Sequence, residues 1–556
     1  MAGQIQAQEE QRRQQGRGCE FSAEMAAELA AHLALVDGHP ADAEKAARKR
    51  LVEQLQTAPL HSSKVRVTFD KKVQPQAQTE EVFPQYGLIG KRVATYGYQS
   101  GDGGSEEAQD NLVYTNTNAP WSSFICGSQG SGKSHTLSCM LENALLAPSQ
   151  AGKLAEPLAG FVLHYDGFSN VSTSQPCEAA YLCSAGIPVR VLVSPSHYEN
   201  MKRVYGNLRG LPEGAPRPIV SWLKFSEKHL NVTMMKTLMA AGGESQQPLY
   251  MELVTRILRE MATEDGNSSI DFNKFKRKLD EENLMGYQRS GLDQRMGLLE
   301  SFLEIEQVPI YNRWANARTR TNVATASRLD EMWEFKKGSL TIVDLSCPFI
   351  APNDACALFN ICLKIFLDGR ESSGRIIAMD EAHKFLTITN REALELTESL
   401  LSIIRQQRHL GTRVIIATQE PALSPKLMDL CDVTMVHRFT SPEWYKTLEG
   451  HLAGAVVGMS AEERSKSDPN NLFSKIVLLE TGEALVFSAN GVLDIIEKAA
   501  ESDKGESEKE GSRSIQEDGP SETNGAPAIW KLGPRYIKMK VRMRLTADGG
   551  RSILAT

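Results

Sequence analysis

The stretch FICGSQGSGKSHTL, residues 124–137, decides the fold of this 556-residue chain. Its residues 127–134 match G-x-x-x-x-G-K-S, the pattern of a loop that binds nucleotide phosphates. The apolar run SSFIC before the loop predicts a buried strand, and KSHTLSCMLENALL within and after it predicts a helix with one apolar face. Because a phosphate loop works between a strand and a helix N-terminus, this setting indicates a nucleotide site.

The residue types in the loop suit phosphate chemistry. Its glycines let backbone N–H groups converge on phosphate oxygens, and the helix N-terminus adds partial positive charge. The lysine ammonium would reach the β- and γ-phosphates of ATP, and the serine after it would hold Mg²⁺. The predicted nucleotide-binding residues are Gly127, Ser128, Gln129, Gly130, Ser131, Gly132, Lys133, Ser134 and His135.

A second run, GRIIAMDEAHKFL, supplies the acidic residues that such a loop needs. Four apolar residues lead into Asp380 and Glu381, so the pair is predicted at the end of a buried strand. Asp380 would organise the Mg²⁺ shell together with Ser134. Glu381 is suited to be the general base for the attacking water. Adjacent carboxylates repel each other, which disfavours a purely structural origin for the pair.

Length and composition set the broad class of protein. A chain of 556 residues predicts two to four units, and the net charge, 62 − 69 = −7, argues against a uniformly basic nucleic-acid coat. The nine cysteines form no C-x-x-C pair, which favours buried free thiols in a reducing compartment over a metal site. Without a secretion signal or a run of about 18 apolar residues, the chain is predicted to be soluble and intracellular, cytoplasmic or nuclear, with no membrane partner.

Short apolar runs alternate with helical patterns after Trp121, which is typical of a parallel sheet in an α/β fold. The predicted strands are SSFICG, GFVLHYD, PVRVLVSP, LTIVDLS, GRIIAMDE and TRVIIATQ, and KVRVTF, KRVATYGY and NLVYTN before them are also strand-like. The predicted segments are a disordered N-terminus (1–20), a helical and short-strand region (21–118), an ATPase core in two parts (119–195 and 339–495), a helical insertion (196–338), an acidic disordered linker (496–528) and a basic C-terminal strand or tail (529–556).

The C-terminal region is basic. Its run YIKMKVRMRL, residues 536–545, alternates as a strand with one basic face. Two interpretations stay open at this stage: an edge strand that its charge keeps soluble, or a contact with nucleic acid.

Two familiar ATPase classes do not fit the motifs. The letters D-E-A-H suggest a helicase, but 247 positions separate Lys133 from Asp380, and no second arginine-rich motif follows. An ABC-type signature is also missing. Instead the acidic pair is followed by LLSIIRQQRHLGTRVIIATQEP, a helix with Arg405 and Arg408 and then a strand that ends at Gln419.

This combination resembles the HerA/FtsK-type P-loop ATPases over roughly residues 118–492. The resemblance implies a RecA-like fold with an additional strand between the loop strand and the acidic strand, here with a helical insertion and flexible tails. It also implies that Gln419 is a polar sensor, and that Arg405 or Arg408 is an arginine finger reaching a neighbouring subunit in a homo-oligomeric ring such as a hexamer. The alternative for each arginine is an ordinary solvated helix face.

Three functions follow from this resemblance. The first is a DNA translocase or helicase-like motor, and the second is a non-translocating ATPase switch or scaffold that binds protein partners through its N-terminal region and tails. The third is a polypeptide pump. The complete set of catalytic residues favours a protein that hydrolyses ATP. The assignment of DNA as the substrate is the weaker inference, because the sequence contains no zinc module or aromatic-rich surface typical of nucleic-acid binding.

Overall fold

The computed structural model describes residues 25, 28, 29, 32, 43–70, 81–97, 107–167, 174–230, 232–240, 250–265, 270–282, 286–304, 331–369, 374–420, 423–452, 472–496 and 528–549. The predicted disorder over 1–20, and over all but the end residues of 496–528, lies outside them. The chain divides into two compact units, Met1–Leu55 with Ile496–Ile529 and Gln56–Ile495 with Trp530–Thr556. The predicted site belongs to the second unit.

The described part of the chain contains both strands and helices. The strands are β1 (Leu60–Ser62), β2 (Tyr86–Tyr96), β3 (Leu112–Asn116), β4 (Ser122–Cys126), β5 (Gly152–Lys153), β6 (Ala159–His164), β7 (Val189–Val193), β8 (Ile219–Trp222), β9 (Leu340–Asp344), β10 (Arg375–Met379), β11 (Thr412–Thr418), β12 (Val433–Val436), β13 (Glu483–Phe487), β14 (Val492–Ile496), β15 (Ala528–Lys531) and β16 (Tyr536–Val541). The α-helices are α1 (Ala43–Thr57), α2 (Ser63–Phe69), α3 (Lys133–Leu145), α4 (Tyr198–Gly206), α5 (Val232–Ala240), α6 (Tyr250–Asp265), α7 (Phe272–Asp280), α8 (Gly286–Phe302), α9 (Pro352–Asp368), α10 (Arg391–Arg405), α11 (Gln407–Leu410), α12 (Pro425–Leu430), α13 (Pro442–Glu449) and α14 (Leu472–Val477). None of these helices is both long and apolar enough to cross a bilayer.

A parallel sheet forms the centre of the second unit. Its order is β8-β7-β9-β6-β10-β11-β4-β12, and every neighbouring pair runs parallel. Strand β11 lies between the loop strand β4 and the acidic strand β10. The predicted α/β P-loop fold, with its additional strand, is therefore confirmed, and all six predicted core strands are present.

Both faces of this sheet are covered, which explains the continuous apolar runs. Along β10, Ile377 and Met379 belong to one apolar core, and Ile376 and Ala378 belong to the other. Residues of α9 and α10 line the first core, whereas residues of α3 line the second. Alternate side chains of one strand therefore fix helices on opposite faces, and the phosphate loop is held between them.

Among the described residues between β7 and β9, helices predominate, and strand β8 also occurs there. Helices α5 to α8 contribute to the same core as α9 and α10. Strand β8 pairs in parallel with β7 and extends the sheet. No apolar run predicted this strand, which has only four residues, with both Ile219 and Trp222 at its ends exposed.

The basic C-terminal run is not an edge strand, so that interpretation is wrong. Strand β16 lies between β13 and β2 and is antiparallel to both. Its alternate residues Ile537, Met539 and Val541 are buried, and Lys538 pairs with Glu483 of β13 at 2.9 Å. Alternation shows that one face is apolar, but edge and internal strands share that pattern.

The prediction of a strand at KVRVTF is also wrong, because residues 63–69 form helix α2. The Ser62 side chain caps this helix by accepting a hydrogen bond from the backbone N–H of Val65. Only one valine of the alternating pattern is buried, and Val67 is exposed. The other two strand-like pieces coincide with β2 and β3.

Candidate active site

The phosphate loop connects β4 to α3, and its backbone needs glycine, as Gly127 and Gly130 illustrate. Gly130 has a φ of 72°, in the left-handed region, with open space where a side chain would start. A Cβ on Gly127 would lie 2.7 Å from Cβ of His437, too close for any other residue. The loop is anchored to the end of β12, since the backbone N–H and hydroxyl of Ser128 both donate to the Arg438 carbonyl, at 2.9 and 2.8 Å.

Lys133 is a buried cation at the start of α3, with 5% of its surface exposed. Its ammonium donates to the Ser128 carbonyl at 3.0 Å. Burial lowers the pKa of Lys133, and the carboxylates of Glu381 and Asp380 act in the opposite direction. The structure therefore brings the loop lysine and the acidic pair within electrostatic reach of one another, as the sequence predicted.

The acidic pair follows β10 directly. Asp380 is buried, and its backbone N–H donates to the Leu163 carbonyl of β6 at 3.3 Å. Burial and the neighbouring Glu381 carboxylate raise the pKa of Asp380. Glu381 has a φ of 52° and is the only non-glycine residue with a positive φ in the described part of the chain. Such a conformation costs about 1–3 kcal/mol and is found mostly where function requires it.

Gln419, at the end of β11, contacts the predicted general base. Its amide Nε2 donates to both carboxylate oxygens of Glu381, at 2.8 and 2.9 Å. His383 Nδ1 lies 3.4 Å from Glu381 Oε2, and burial lowers the pKa of this imidazole, which favours its neutral form. The sequence predicted Gln419 as a sensor by resemblance alone; the structure shows a direct link between it and Glu381.

The two arginines lie away from this cluster. Arg405 ends α10 and Arg408 lies in α11, so both precede the start of β11, whereas Gln419 follows its end. Strand β11 has seven residues, and at about 3.3 Å per residue it separates the two ends by roughly 20 Å. Both arginines are exposed, and neither has an ionic or hydrogen-bonding side-chain partner in the described part of the chain.

His135 has a role in the structure that the sequence did not indicate. Its Nε2 lies 2.8 Å from the carbonyl of Arg542, so the imidazole contacts the C-terminal segment and does not line the loop. Only the backbone of His135 remains a candidate phosphate ligand. Ser134 and Asp380 offer a hydroxyl and a carboxylate, which are the oxygen donors that Mg²⁺ prefers.

Sequence reasoning missed His437, which connects the loop helix to β13. The ring is fully buried, and its Nδ1 lies 2.8 Å from the Glu483 carbonyl, so Nδ1 must carry the proton. Its Nε2 accepts from the Thr136 hydroxyl at 3.0 Å. Burial lowers the pKa of His437 to about 4. Nothing in VTMVHRFTSP marks this histidine, because its partners come from distant segments.

A further ion pair extends the site. Lys384, shortly after the acidic pair, pairs with Asp166 beyond the end of β6 at 3.1 Å. The Asp166 backbone N–H donates to the Ser346 hydroxyl at 2.9 Å. The predicted strand GFVLHYD ends at Asp166, but the partner of this carboxylate depends on the pairing of β6 with β10.

The C-terminal segment covers the outer side of α3. Glu142, which is fully buried, accepts from Arg542 Nη1 at 2.7 Å, from the Leu545 N–H at 3.1 Å and from the Thr546 N–H at 3.0 Å. Arg544 pairs with Glu178 at 2.7 Å. Both arginines are therefore committed to internal partners, and this part of the basic run supports the loop helix.

No protein-family model matches the chain, and no curated protein matches it. Several solved structures are similar. VirB4 of Thermoanaerobacter pseudethanolicus is 12% identical, with a TM-score of 0.37 over 67% of this chain and 88% of that one. The genome packaging NTPase B204 of Sulfolobus turreted icosahedral virus 2, in complex with ATP-gammaS, is 18% identical, with a TM-score of 0.21 over 29% and 66%.

The cytoplasmic domain of the type VII secretion ATPase EccC of Thermomonospora curvata is 11% identical, with a TM-score of 0.25 over 74% of this chain and 28% of that one. Each of these TM-scores is below 0.5, so the likenesses assign neither a family nor a residue role to this chain.

Proposed function

We propose that this protein is a Mg²⁺-dependent ATPase that works as a ring-forming motor on DNA. The observation that carries the ATPase assignment is the hydrogen bonding of Gln419 to both oxygens of Glu381, close to the buried Lys133. A strained glutamate, a sensor amide and a loop lysine from three segments form the set of groups that phosphoryl transfer requires.

Each group has a defined task in this proposal. Lys133 binds the β- and γ-phosphates, and the backbone N–H groups of the loop complete the cradle. Ser134 and Asp380 would hold Mg²⁺, which would offset the negative charge of the phosphates. Glu381 orients the attacking water and accepts its proton.

Gln419 would couple the chemistry to movement. Its two hydrogen bonds hold the Glu381 carboxylate in place. Because Gln419 ends the strand between β4 and β10, a shift at either neighbour changes the distance from amide to carboxylate. Hydrolysis would then respond to the state of the whole sheet.

The arginines support assembly into a ring. Arg405 and Arg408 are exposed and lie at the opposite end of β11 from the loop, so neither can complete the site of its own subunit. An arginine supplied by a neighbour would stabilise the charge that develops on the transferred phosphate. Activity would therefore depend on oligomerisation.

DNA is the proposed substrate, and the similar structures include both a genome packaging NTPase and a secretion ATPase, so a polypeptide must be tested beside it. The basic C-terminal segment is not the proposed grip, since Arg542 and Arg544 are paired internally. Loops at the ring pore would have to provide the contact with phosphates.

One observation favours a second candidate, a non-translocating switch. Both oxygens of the predicted general base accept a hydrogen bond from Gln419, and this contact suits an ATPase that turns over only after a partner moves the amide. Such a protein would bind ATP well and hydrolyse it slowly, and DNA would not accelerate it.

The test is ATP hydrolysis by the full chain, alone and with duplex DNA, single-stranded DNA or an unfolded polypeptide, together with its mass in solution. Lys133→Ala should abolish turnover, whereas Glu381→Gln should retain ATP and stop hydrolysis. Glu398→Gln, on the exposed face of α10, is the matched control and should behave as wild type.

The outcomes separate the candidates. Stimulation by DNA that weakens with rising salt supports the motor, because phosphate contacts release counterions. ATPase activity without any DNA response in an oligomer supports the switch. Full turnover by Lys133→Ala would refute the ATPase site itself.

A further inference from the structure

Three side chains of types that bind metals lie close together, and one of them is Asp380 of the acidic pair. They are His164 at the end of β6, Cys177 at the start of the 3-10 helix Glu178–Ala185, and Asp380 after β10. One ligand atom of each lies within 4.8 Å of the other two. All three are buried, with 6%, 0% and 3% of their surfaces exposed. Since β6 and β10 are parallel neighbours, their ends bring His164 and Asp380 together.

His164 is unusual among the buried polar groups. Neither ring nitrogen has a hydrogen-bond partner within the described residues, and such an unmet buried group costs about 1–3 kcal/mol. His61 shares this feature, and stacking of its ring between Phe83 and Tyr114, with centroids 4.1 and 5.6 Å away, leaves its in-plane nitrogens unpaired. His164 differs because a thiol and a carboxylate lie beside it, and a cation bound among the three groups would satisfy one ring nitrogen.

Cys177 is held in position by other buried groups. Its backbone N–H donates to the Tyr205 hydroxyl at 2.9 Å, and that hydroxyl donates to Asp344 Oδ2 at 2.5 Å. Burial, followed by the charge of Asp380, raises the pKa of the Cys177 thiol well above its ordinary value. The thiol therefore keeps its proton unless a cation takes the proton's place. Anchoring of this kind orients a metal ligand in advance.

We propose that His164, Cys177 and Asp380 bind a thiophilic divalent cation of the zinc class. Imidazole nitrogen, thiolate sulfur and carboxylate oxygen are the donors that zinc accepts, and the sulfur excludes Mg²⁺. On binding, the thiol forms a sulfur–metal bond and releases one proton to solvent. The thiolate and the carboxylate then balance the two positive charges, and a water completes the fourth position.

The geometry requires only a local adjustment. Bonds of about 2.0–2.3 Å in a tetrahedral site place ligand atoms roughly 3.5 Å apart. The ligand atoms, at most 4.8 Å apart, need to close by little more than about 1 Å. The structure shows Cys177 as a buried free thiol, as expected, and metal binding would give this thiol a further role.

The site has a consequence for the nucleotide chemistry. Asp380 is also the carboxylate proposed to organise Mg²⁺, and a cation bound to His164 and Cys177 would withdraw it from that role. Zinc should therefore inhibit hydrolysis even with Mg²⁺ in excess. This consequence rests on the proposed function, whereas the metal binding does not.

The binding is tested with Co²⁺, whose bond to a thiolate gives a near-ultraviolet charge-transfer band. The reduced, chelator-treated full chain is titrated with Co²⁺ and then with Zn²⁺ as competitor. We expect one equivalent of cobalt to produce the band and zinc to remove it. Cys177→Ser and His164→Gln should each weaken Co²⁺ binding by more than about tenfold, the loss that follows even from disturbing a metal ligand's supporting partners.

Cys183→Ser is the matched control, because Cys183 is a buried thiol in the same 3-10 helix but outside the cluster. It should keep the band, and circular dichroism checks that each variant is folded. A wild-type protein without the band, or a band that survives in Cys177→Ser, would overturn the proposal.

The ratio of ATPase rates with and without zinc, for wild type and Cys177→Ser, tests the consequence. A cobalt band in a protein without ATPase activity would leave the metal site standing and remove the proposed function. ATPase activity without the band would do the reverse.

Discussion

Replacing Glu142 with glutamine should destabilise the protein through the helix behind the phosphate loop. Glu142 lies in α3 and is fully buried, and its carboxylate accepts hydrogen bonds from Arg542, Leu545 and Thr546 of the C-terminal segment. Glutamine has nearly the same shape, but its NH₂ group would face donors where an acceptor is needed. The substitution also leaves the Arg542 guanidinium buried without its counter-charge.

The expected loss is about 3–5 kcal/mol of unfolding free energy, the usual cost of removing one partner of a buried ion pair. The side chains of Arg542 and Glu142 are only 8% and 0% exposed, so water cannot replace the missing charge. A backbone N–H left without an acceptor would by itself cost about 1–3 kcal/mol. The double variant Glu142→Gln with Arg542→Met should lose less than the sum of the two single changes, because it leaves no unpaired charge.

Urea unfolding, followed by far-ultraviolet circular dichroism, measures the change, and Lys276→Ala is the control. The Lys276–Glu300 pair is exposed, at 48% and 37% of the side chains, so its loss should cost less than about 1 kcal/mol. If Glu142→Gln unfolds at the same urea concentration as this control, the C-terminal segment does not support the loop helix. The reasoning would then be refuted.

The same carboxylate predicts a dependence on pH. Burial pushes the pKa of Glu142 up, but hydrogen bonds from Thr546 and Leu545 and the charge of Arg542 outweigh it and hold the pKa below its ordinary value. A depressed pKa stabilises the folded state above the unfolded pKa, and this stabilisation is lost as the pH falls through the folded pKa. Glu142→Gln should therefore unfold with a shallower acid limb than wild type.

Three further predictions concern the site. Wild type should lose unfolding free energy as the pH falls from 6.5 to about 4, because the unfolded His437 imidazole binds a proton in this range and the folded one, with its pKa near 4, does not. His437→Gln should flatten this fall in urea titrations, and an unchanged slope would contradict the assignment. Gln419→Ala should retain ATP binding and lose most of the response of hydrolysis to DNA, and a DNA response equal to wild type would exclude a sensor role. Mixing Lys133→Ala with a variant of Arg405 or Arg408 should restore part of the ATPase activity in steady-state assays, because hybrid interfaces pair an intact loop with an intact arginine; no recovery at any ratio would count against a finger in trans.

The fold was largely predictable because its signals are local. Strands β4, β10 and β11 are continuous apolar runs, and burial on both faces of a parallel sheet demands that composition. The loop motif needs only its own backbone and the helix that follows it. The wrong assignment of KVRVTF shows where local signals fail. Alternation over six residues predicts a strand, but the segment forms a short helix that a serine caps and that buries only one valine.

The place of the C-terminal run could not be predicted for a different reason. Its alternation shows one apolar face, and that face looks the same in an edge strand and in an internal one. Pairing with β13 and β2, both distant in sequence, decides that β16 is internal. The sequence also could not show that Arg542 and Arg544 face carboxylates of the core.

By itself the sequence determined which chemical groups are present: a phosphate loop with Lys133, an acidic pair at a strand end and an arginine-bearing helix before a polar turn. Only the tertiary structure decided which groups meet. The order of strands places Gln419 against Glu381, keeps Arg405 and Arg408 at the far end of β11, and gathers His164 and Cys177 around Asp380. The physical reason is that a motif is written in consecutive residues, whereas a contact between strand ends depends on sheet order, which pairings over the whole chain determine.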